Sequence, residues 1–210
     1  MKLCDMTVTD FVNTVASDAP APGGGSVAAL CGSIGAALTA MVGNLTQGRK
    51  KYAQYADFAA QVEQKGNELK ARLLYVMDRD TEAFMLVNDA FSLPKATDEE
   101  KAARSAAIQA GLRACTKTPM EMMELCAEAA KLASAFADNG FNDSSASDLG
   151  VAFLSLSAAI RGAYLNVLIN ISSIRDQAFA EECRARSQAL LDVTLPLCDA
   201  GYEKILEMTK

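Results

Sequence analysis

The sequence predicts an all-α protein, a single-domain antiparallel helical bundle with long helices that covers residues 1–210. No segment shows the two-residue alternation of hydrophobic and polar side chains that is typical of a half-buried strand. Hydrophobic residues make up 50% of the chain and are mostly Ala, Leu, Val and Met, whereas aromatics make up 6% and Trp is absent. This composition suits closely packed helices. Neither a repeat nor a low-complexity linker divides the chain, so one core is expected.

Capping and helix-breaking residues divide the chain into six predicted helices. The segment from Thr7 to Asp10 resembles a capping box that opens a first helix, which ends near Ser17. The other five are predicted over 26–47, over 53–91, from the Thr97 cap to the Asn139-Gly140 pair, over 145–174, and from 176 to the C-terminus. Pro119 is expected to kink or split the fourth helix, and Pro196 to bend or break the last.

The second predicted helix lies in a run of 30 residues without a charge, between Asp18 and Arg49. The run is long enough to cross a bilayer, so a membrane-spanning helix is one interpretation. Small residues recur in it at four-residue spacing, which lets another helix approach closely (Ala28, Gly32, Ala36, Ala40). Polar residues also interrupt the run. A buried central helix is therefore the preferred interpretation.

Composition and charge exclude several classes of function. The formal net charge is −6 and no basic face is apparent, so we expect no nucleic-acid partner. The six cysteines form no C-x-x-C pair and no signal peptide is visible, so we expect reduced thiols and a cytoplasmic protein. The absence of histidine excludes His-based triads and argues against a metal site. Acid–base chemistry must then use carboxylates, Lys, Tyr or Cys.

A glycine-rich turn and a basic cluster flank the uncharged run. The turn comprises Pro22, Gly23, Gly24, Gly25 and Ser26. Adjacent glycines allow a close approach of the backbone, and a helix start exposes free N–H groups, although a purely structural turn would use the same residues. The turn matches neither a P-loop nor a dinucleotide fingerprint. The basic cluster, Arg49, Lys50 and Lys51, suggests an anionic partner, although cations near a helix C-terminus are also ordinary.

Two predicted helices carry polar residues where their pattern is otherwise apolar or small. On the third helix, Asp80 falls on the apolar stripe formed by Leu69, Leu73, Val76, Phe84 and Val87. Asp80 either reaches water at an edge or has a raised pKa that suits acid–base chemistry. On the fifth helix, a small and polar stripe begins at Asp148 and includes Asn166 and Asn170. These amides could bind a planar ligand or join neighbouring helices, and Asp148 could simply complete a capping box with Ser145.

Taken together, these segments resemble the formiminotetrahydrofolate cyclodeaminase / methenyltetrahydrofolate cyclohydrolase family, which includes the cyclodeaminase half of the bifunctional formiminotransferase-cyclodeaminase. The matching segments follow the family's order over nearly the whole chain: 21–29, 41–52, 80–84, 93–95, 99–101, 147–152 and 162–170. No transferase half is present, so the chain resembles the stand-alone form. The resemblance implies an all-α, usually dimeric protein acting on a tetrahydrofolate derivative, with or without a polyglutamate tail.

The resemblance also implies the chemistry. Cyclodeaminases close 5-formiminotetrahydrofolate to the 5,10-methenyl form and release ammonia, whereas cyclohydrolases open the methenyl bridge with water to give 10-formyltetrahydrofolate. No metal, flavin or nicotinamide is implied, so we expect no cofactor beyond tetrahydrofolate as the carrier. Cyclodeaminase is the first choice, because 162–170 and 147–149 look closest to the bifunctional enzyme. Cyclohydrolase is the alternative, and a non-catalytic folate-binding or scaffold protein is an alternative of another class.

Roles for individual residues follow as predictions from this resemblance. Asp80 and Asp148, with Glu82 as a third candidate, would move protons and stabilise the cationic methenyl ring. The turn of Pro22–Ser26 would admit the pterin or its aminobenzoyl bridge, and Asn166 and Asn170 would bind polar ring edges. The remaining predicted substrate contacts come from the segment 41–52, where cations would hold the glutamate tail: Asn44, Arg49, Lys50, Lys51 and Tyr52. We expect a homodimer, with no nucleic-acid or membrane partner.

Overall fold

The structure, a computed structural model, describes residues 2–210 and is helical throughout, with no strand in that range. Its six α-helices are α1 Val8–Val15, α2 Gly24–Thr46, α3 Ala56–Phe91, α4 Asp98–Asn139, α5 Ala146–Ile171 and α6 Gln177–Met208. Three short 3-10 helices precede α1, α3 and α5, at Leu3–Asp5, Lys50–Tyr55 and Asp143–Ser145. The all-α prediction is confirmed.

The long helices form one up-and-down bundle with α2 near its centre. Contacts of the α2 glycines show that α2 runs antiparallel to both α3 and α5, because Gly25 lies against Asp80 whereas Gly43 lies against Ala59. In the same way, Gly24 lies close to Asn166 near the end of α5. α4 and α6 run parallel to α2, so each helix is antiparallel to the next one in sequence. The predicted antiparallel bundle is thus confirmed.

Most predicted helix boundaries are confirmed, and the exceptions have physical causes. The Thr97 side chain accepts a hydrogen bond from the Glu100 backbone N–H in a complete capping box. Gly140 ends α4 with a φ of +113°, a conformation that favours glycine. Of the two alternatives predicted at Pro119, the split is wrong, since α4 continues through it, and the kink stays a prediction. Pro196 likewise lies inside a continuous α6. The third helix begins at Ala56 rather than near 53, because Lys50–Tyr55 forms a 3-10 helix.

The small residues of α2 let its neighbours pack closely, as predicted. A methyl group added at Gly32 would lie 2.9 Å from the Cys126 sulphur, and one at Gly35 would lie 2.7 Å from Leu156. By length and composition alone, α2 and the segment Asp143–Ile171 are apolar enough to cross a membrane. In the bundle, 61% of the most apolar window of α2 is buried by protein. The prediction of a central helix is confirmed.

The length of α2 separates two functional regions of the bundle. One region, which we call the glycine end, comprises the turn Pro20–Ser26 and the parts of α3, α4 and α5 around it. The other, which we call the basic end, comprises the segment Arg49–Tyr52 and the start of α5. α2 has 23 residues, so at 1.5 Å per residue the two ends lie about 34 Å apart. Within one protomer, residues at the two ends cannot touch the same reacting atoms.

Candidate functional site

A polar cavity of about 170 Å³ lies at the glycine end, where four helices meet. Its lining joins the turn before α2 to residues of α3, α4 and α5: Pro20, Ala21, Gly23, Gly24, Gly25, Ser26, Asp80, Thr81, Phe84, Cys115, Asn166 and Asn170. Seven of the predicted site residues therefore share one cavity, although they are up to 147 positions apart in the sequence (170 − 23). Pro22, the other predicted member of the turn, is buried and does not line the cavity.

Asp80 is the only acidic residue that lines this cavity, and hydroxyl groups from two helices bind it. The Ser26 hydroxyl donates to Oδ2 at 3.3 Å, and the Thr118 hydroxyl donates to Oδ1 at 3.3 Å. Gly25 lies against the carboxylate so closely that an added Cβ would be 2.4 Å from Oδ2. The start of α2 is thus packed onto Asp80 through a residue with no side chain, and the partial positive charge of a helix N-terminus lies next to a carboxylate.

The environment of Asp80 raises the pKa of its carboxyl. Burial raises the pKa of the carboxyl above its ordinary value, and the hydrogen bonds from Ser26 and Thr118 oppose this rise without cancelling it. The structure gives Asp80 no ion pair among residues 2–210. A carboxyl with a raised pKa is protonated more readily than an ordinary one, which suits acid–base chemistry and fits the second of the two sequence interpretations.

Pro119 explains how Asn170 is held in the cavity wall. Because proline has no N–H, the carbonyl of Cys115 lacks its usual partner four residues later in α4. The Asn170 side-chain amide donates to that carbonyl at 2.6 Å. The interhelix role that the sequence left open for Asn170 is therefore present. The same bond fixes the orientation of the amide, and its oxygen accepts no hydrogen bond from residues 2–210.

Asn166 and Cys115 complete the wall opposite the glycine turn. The Asn166 side-chain amide donates to the Gly162 carbonyl at 2.9 Å, within α5. Its nitrogen also lies 3.7 Å from the position of a Cβ on Gly24. Burial, with a smaller contribution from the Asp80 charge, raises the pKa of the Cys115 thiol to about 11. Cys115 is therefore protonated at neutral pH and is not poised as a nucleophile.

Sequence reasoning missed Thr118, Cys115 and Thr81, and it assigned Phe84 wrongly. Phe84 was predicted on the apolar core stripe, yet it is 41% exposed and lies at the cavity. The other four members of that stripe are buried as predicted (Leu69, Leu73, Val76, Val87). The residues of the α3 stripe before Asp80 face the core, whereas Asp80 and Phe84 line the cavity. The two adjacent polar residues Asp80 and Thr81 were the signal in the sequence for this change. Nothing in the sequence linked Thr118 to Asp80.

The predicted basic cluster lies at the basic end, away from the cavity. Lys51 forms an ion pair with Asp143, with the Lys Nζ 2.8 Å from Oδ2, and the buried Tyr52 donates its hydroxyl to the same oxygen at 3.3 Å. The hydrogen bond from Lys51 holds the pKa of Asp143 below its usual range. Arg49 and Lys50 are exposed, and among residues 2–210 neither has an acidic partner within 4.0 Å. This cluster cannot reach the cavity of its own protomer.

Three other predicted residues also lie outside the cavity. Asp148 is half-buried in the first turn of α5, about 27 Å from Asn166 along the helix. The capping box that the sequence offered as the other interpretation of Asp148 is wrong, since the Ser145 hydroxyl donates to the Asn142 carbonyl. Glu82 is exposed and lines a separate groove with Asp5 and Asp78. The amide of Asn44 is exposed at the basic half of α2 and donates to Glu63 at 3.1 Å. The structure thus leaves Asp80 as the carboxylate of the cavity.

Proteins of known name resemble this chain over most of its length. The chain is 43% identical over 199 residues to the methenyltetrahydrofolate cyclohydrolase of Methylorubrum extorquens, covering 95% of each chain. It is 37% identical over 189 residues to the formimidoyltransferase-cyclodeaminase of Rattus norvegicus, covering 90% of this chain but 35% of that protein. The chain thus spans about a third of the length of this bifunctional relative.

A solved structure shares the fold. The crystal structure of a formiminotetrahydrofolate cyclodeaminase from Thermotoga maritima matches with a TM-score of 0.80 and 25% sequence identity, over 99% of this chain and 97% of that one. The formiminotransferase-cyclodeaminase family model matches residues 7–189, which include every residue of the cavity. The chain therefore belongs to the formiminotransferase-cyclodeaminase family.

Proposed function

We propose that this protein converts 5-formiminotetrahydrofolate to 5,10-methenyltetrahydrofolate and ammonia, with Asp80 carrying the proton. The observation that carries the proposal is a half-buried carboxylate with a raised pKa, held by Ser26 and Thr118 in a polar cavity without a cation. A group that accepts and then releases one proton near neutral pH is what this ring closure needs. The reaction requires no cofactor other than the folate that carries the carbon.

The reaction balances with a single proton carrier. N10 attacks the carbon of the protonated formimino group, so an N10–C bond forms, and the Asp80 carboxylate takes the proton that N10 loses. Asp80 then returns that proton to the amino group. The C–N bond to that group breaks, ammonia leaves, and the electron pair of the ring nitrogens stabilises the methenyl cation. One positive charge is present on each side of the equation.

The surroundings of Asp80 favour the cationic product. A carboxylate next to the methenyl ring stabilises its positive charge, and the effect is larger in a cavity from which water is displaced. The flat ring system would lie against the open glycine turn, since an added Cβ at Gly23 would meet no atom within 4 Å. The side-chain oxygens of Asn166 and Asn170 would then accept hydrogen bonds from the pterin edge.

A second candidate reaction is hydrolysis of the methenyl bridge. It is favoured by the 43% identity, over 95% of both chains, to a protein named methenyltetrahydrofolate cyclohydrolase. In this reaction Asp80 would take a proton from the attacking water and release it to N5 as the C–N5 bond breaks. The remaining hydroxyl proton passes to solvent as the C=O bond forms, so the methenyl cation and water give 10-formyltetrahydrofolate and one H⁺. Both candidates pass through the methenyl species and use the same carboxylate.

Two assays on the purified protein test the proposal. In the first, 5-formiminotetrahydrofolate is supplied, and ammonia release is measured together with the methenyl absorbance. In the second, 5,10-methenyltetrahydrofolate is supplied, and loss of that absorbance above the spontaneous rate is measured. Ammonia with methenyl accumulation supports the cyclodeaminase, and methenyl loss alone supports the cyclohydrolase. Turnover in neither assay would overturn both, and tight binding of 5-formyltetrahydrofolate would then indicate a non-catalytic folate binder.

A further inference from the structure

Phe84 is an exposed aromatic side chain at the cavity, and no other side chain stacks on its ring. Three aromatic side chains are exposed in residues 2–210, those of Tyr75, Phe84 and Phe91. The Arg79 guanidinium lies 5.6 Å from the Tyr75 ring centroid, and the Arg104 guanidinium lies 5.6 Å from the Phe91 ring centroid. Among the described residues, neither a cation nor a second aromatic ring covers Phe84. Its ring therefore has a free face at the cavity that it lines.

The packing of α3 on α4 does not need the Phe84 ring. Its neighbours Ala83 and Val87 are buried in a small cluster with Cys115 of α4. Gly111 lets the two helices approach closely at this level, since an added Cβ would lie 2.8 Å from the Val87 side chain. A phenyl ring left in water forgoes the stabilisation of burial, which a flat apolar group of a ligand would supply. The position of Phe84 therefore points to a ligand and not to the core.

The cavity has two layers that lie one helical turn apart. Because α3 and α5 run parallel, Asp80 and Asn166 lie at one level beside the start of α2, and Phe84 and Asn170 lie four residues further along their helices. Four residues advance a helix by about 6 Å. The outer layer lies beyond the first residue of α2, and there Phe84 is 41% exposed. The inner layer thus holds the carboxylate, and the outer layer holds the aromatic ring at the mouth.

The size and polarity of the cavity leave one ring of the folate at its mouth. A cavity of about 150 Å³ accepts one benzene ring, so a cavity of about 170 Å³ encloses one flat ring system and not two. The pterin has hydrogen-bonding edges that match the side-chain amides of Asn166 and Asn170. The aminobenzoyl ring on N10 is apolar on both faces. The pterin therefore suits the polar interior, and the aminobenzoyl ring leaves the cavity along α3.

We propose that the Phe84 ring packs against the aminobenzoyl ring of the folate and thereby holds N10 beside Asp80. The inference rests on the proposed function for the identity of the ligand. The aminobenzoyl ring is bonded directly to N10, and Phe84 lies one helical turn, about 6 Å, beyond Asp80 on α3. A folate whose aminobenzoyl ring rests on Phe84 thus keeps N10 within reach of the carboxylate.

Holding this ring also controls the reactivity of N10. N10 is an aniline-type nitrogen, and its lone pair is delocalised into the ring when the two are coplanar. Attack on the one-carbon unit needs the lone pair directed at the carbon, so the ring must be held in one orientation. A planar side chain packed on the ring fixes that orientation better than a flexible aliphatic one. Loss of the Phe84 ring should therefore lower kcat as well as the affinity for the folate.

A truncated ligand tests which ring Phe84 contacts. The two probes are 5-formyltetrahydrofolate and 5-formyl-6-methyltetrahydropterin, which lacks the aminobenzoylglutamate. Phe84→Leu should weaken binding of the full folate by about 2- to 12-fold, the range for an aromatic pair, and leave binding of the truncated pterin unchanged. Phe91→Leu is the matched control, because Phe91 is 56% exposed and lies about 10 Å further along α3. Equal weakening of both ligands in Phe84→Leu, or of neither, would overturn the proposal.

A tryptophan at the same position gives an independent readout, since the chain contains no Trp. Phe84→Trp keeps an aromatic face, so it should retain the affinity and kcat that Phe84→Leu loses. Its fluorescence should fall when 5-formyltetrahydrofolate binds, and the fluorescence of Phe91→Trp should change by less. Equal quenching in the two tryptophan variants, or a Phe84→Trp protein as weak in binding as Phe84→Leu, would contradict the stacked ring.

The binding measurements also separate failure of this inference from failure of the proposed function. If neither activity assay shows turnover, yet Phe84→Leu weakens only the full folate, the proton chemistry fails and the aromatic contact stands. If turnover is present but Phe84→Leu weakens both ligands equally, the function stands and the contact fails. A wild-type protein that binds no 5-formyltetrahydrofolate would overturn both.

Discussion

The two ends of α2 treat their carboxylates in opposite ways. At the basic end, Asp143 is 61% exposed in its side chain and paired with Lys51, and that hydrogen bond lowers its pKa. At the glycine end, Asp80 is half-buried with hydroxyl partners only, and burial raises its pKa. The end with more charges therefore holds the carboxyl that loses its proton more readily. Desolvation, and not the number of ionised groups, marks the place where a proton can be moved at neutral pH.

The largest expected effect comes from removing the Asp80 carboxylate. Asp80→Asn should lower kcat by about 10²- to 10⁴-fold, the usual contribution of a positioned acid–base group. Because the native carboxylate is desolvated without a cation, the thermal midpoint at pH 8 should stay constant or rise. Turnover and thermal unfolding measured on the same preparation check both statements, and a variant that loses stability in proportion to activity would indicate a structural role.

Asp148→Asn is the matched comparison at the other end of the bundle. Its carboxylate lies in the first turn of α5, far from the cavity of its own protomer, so most of the turnover should remain. A loss as large as that of Asp80→Asn would break the distinction between the two ends. It would mean that the basic end contributes to the reacting centre as well as to binding.

A smaller effect is expected from displacing Asp80 without changing it. Gly25→Ala places a methyl group 2.4 Å from the Asp80 oxygen, so the carboxylate must move, and kcat should fall by on the order of 10²-fold. Gly23→Ala is the comparison variant, because its Cβ meets no protein atom within 4 Å and its φ of −125° suits any residue. Asp80 then keeps its position, so any effect of Gly23→Ala on ligand contact should raise KM and leave kcat unchanged. Equal rates in the two variants would show that the close contact at Gly25 does not matter for turnover.

The pH dependence of the rate tests the raised pKa directly. The active form of Asp80 is the carboxylate, so kcat/KM should fall as the pH drops through a pKa that lies above the ordinary value of about 3.9. Thr118→Val removes a hydrogen bond that favours the charged form, so the acidic limb should move to higher pH. A limb that stays in place, or moves to lower pH, would contradict the assignment of the limb to Asp80.

The sequence was sufficient for the helices and for seven of the cavity residues, but not for the rest of the lining or for which predicted residues group together. Asp80 and Asn170 were recognisable because each breaks the apolar or small pattern of its own helix. Thr118 gave no such signal, because its contact with Asp80 depends on how α4 packs against α3. The basic cluster was recognisable by its charge alone, and only the length of α2 revealed that it lies at the opposite end.

Pro119 shows why a local rule failed and a tertiary contact prevailed, and a double-mutant cycle can measure that contact. The sequence rule predicted a kink or a split in α4, yet α4 is continuous, and Asn170 supplies a hydrogen bond that Pro119 cannot. Asn170→Leu should therefore lower the free energy of unfolding by about 1–3 kcal/mol, because the Cys115 carbonyl keeps only its longer contact with the Thr118 hydroxyl, at 3.4 Å. In a Pro119→Ala background the new N–H can donate to that carbonyl within the helix, so the same substitution should cost less. Denaturant unfolding of the four proteins gives the coupling energy. An equal cost of Asn170→Leu in both backgrounds would mean that Asn170 does not replace the missing proline bond, and its orientation would then be set by the cavity alone.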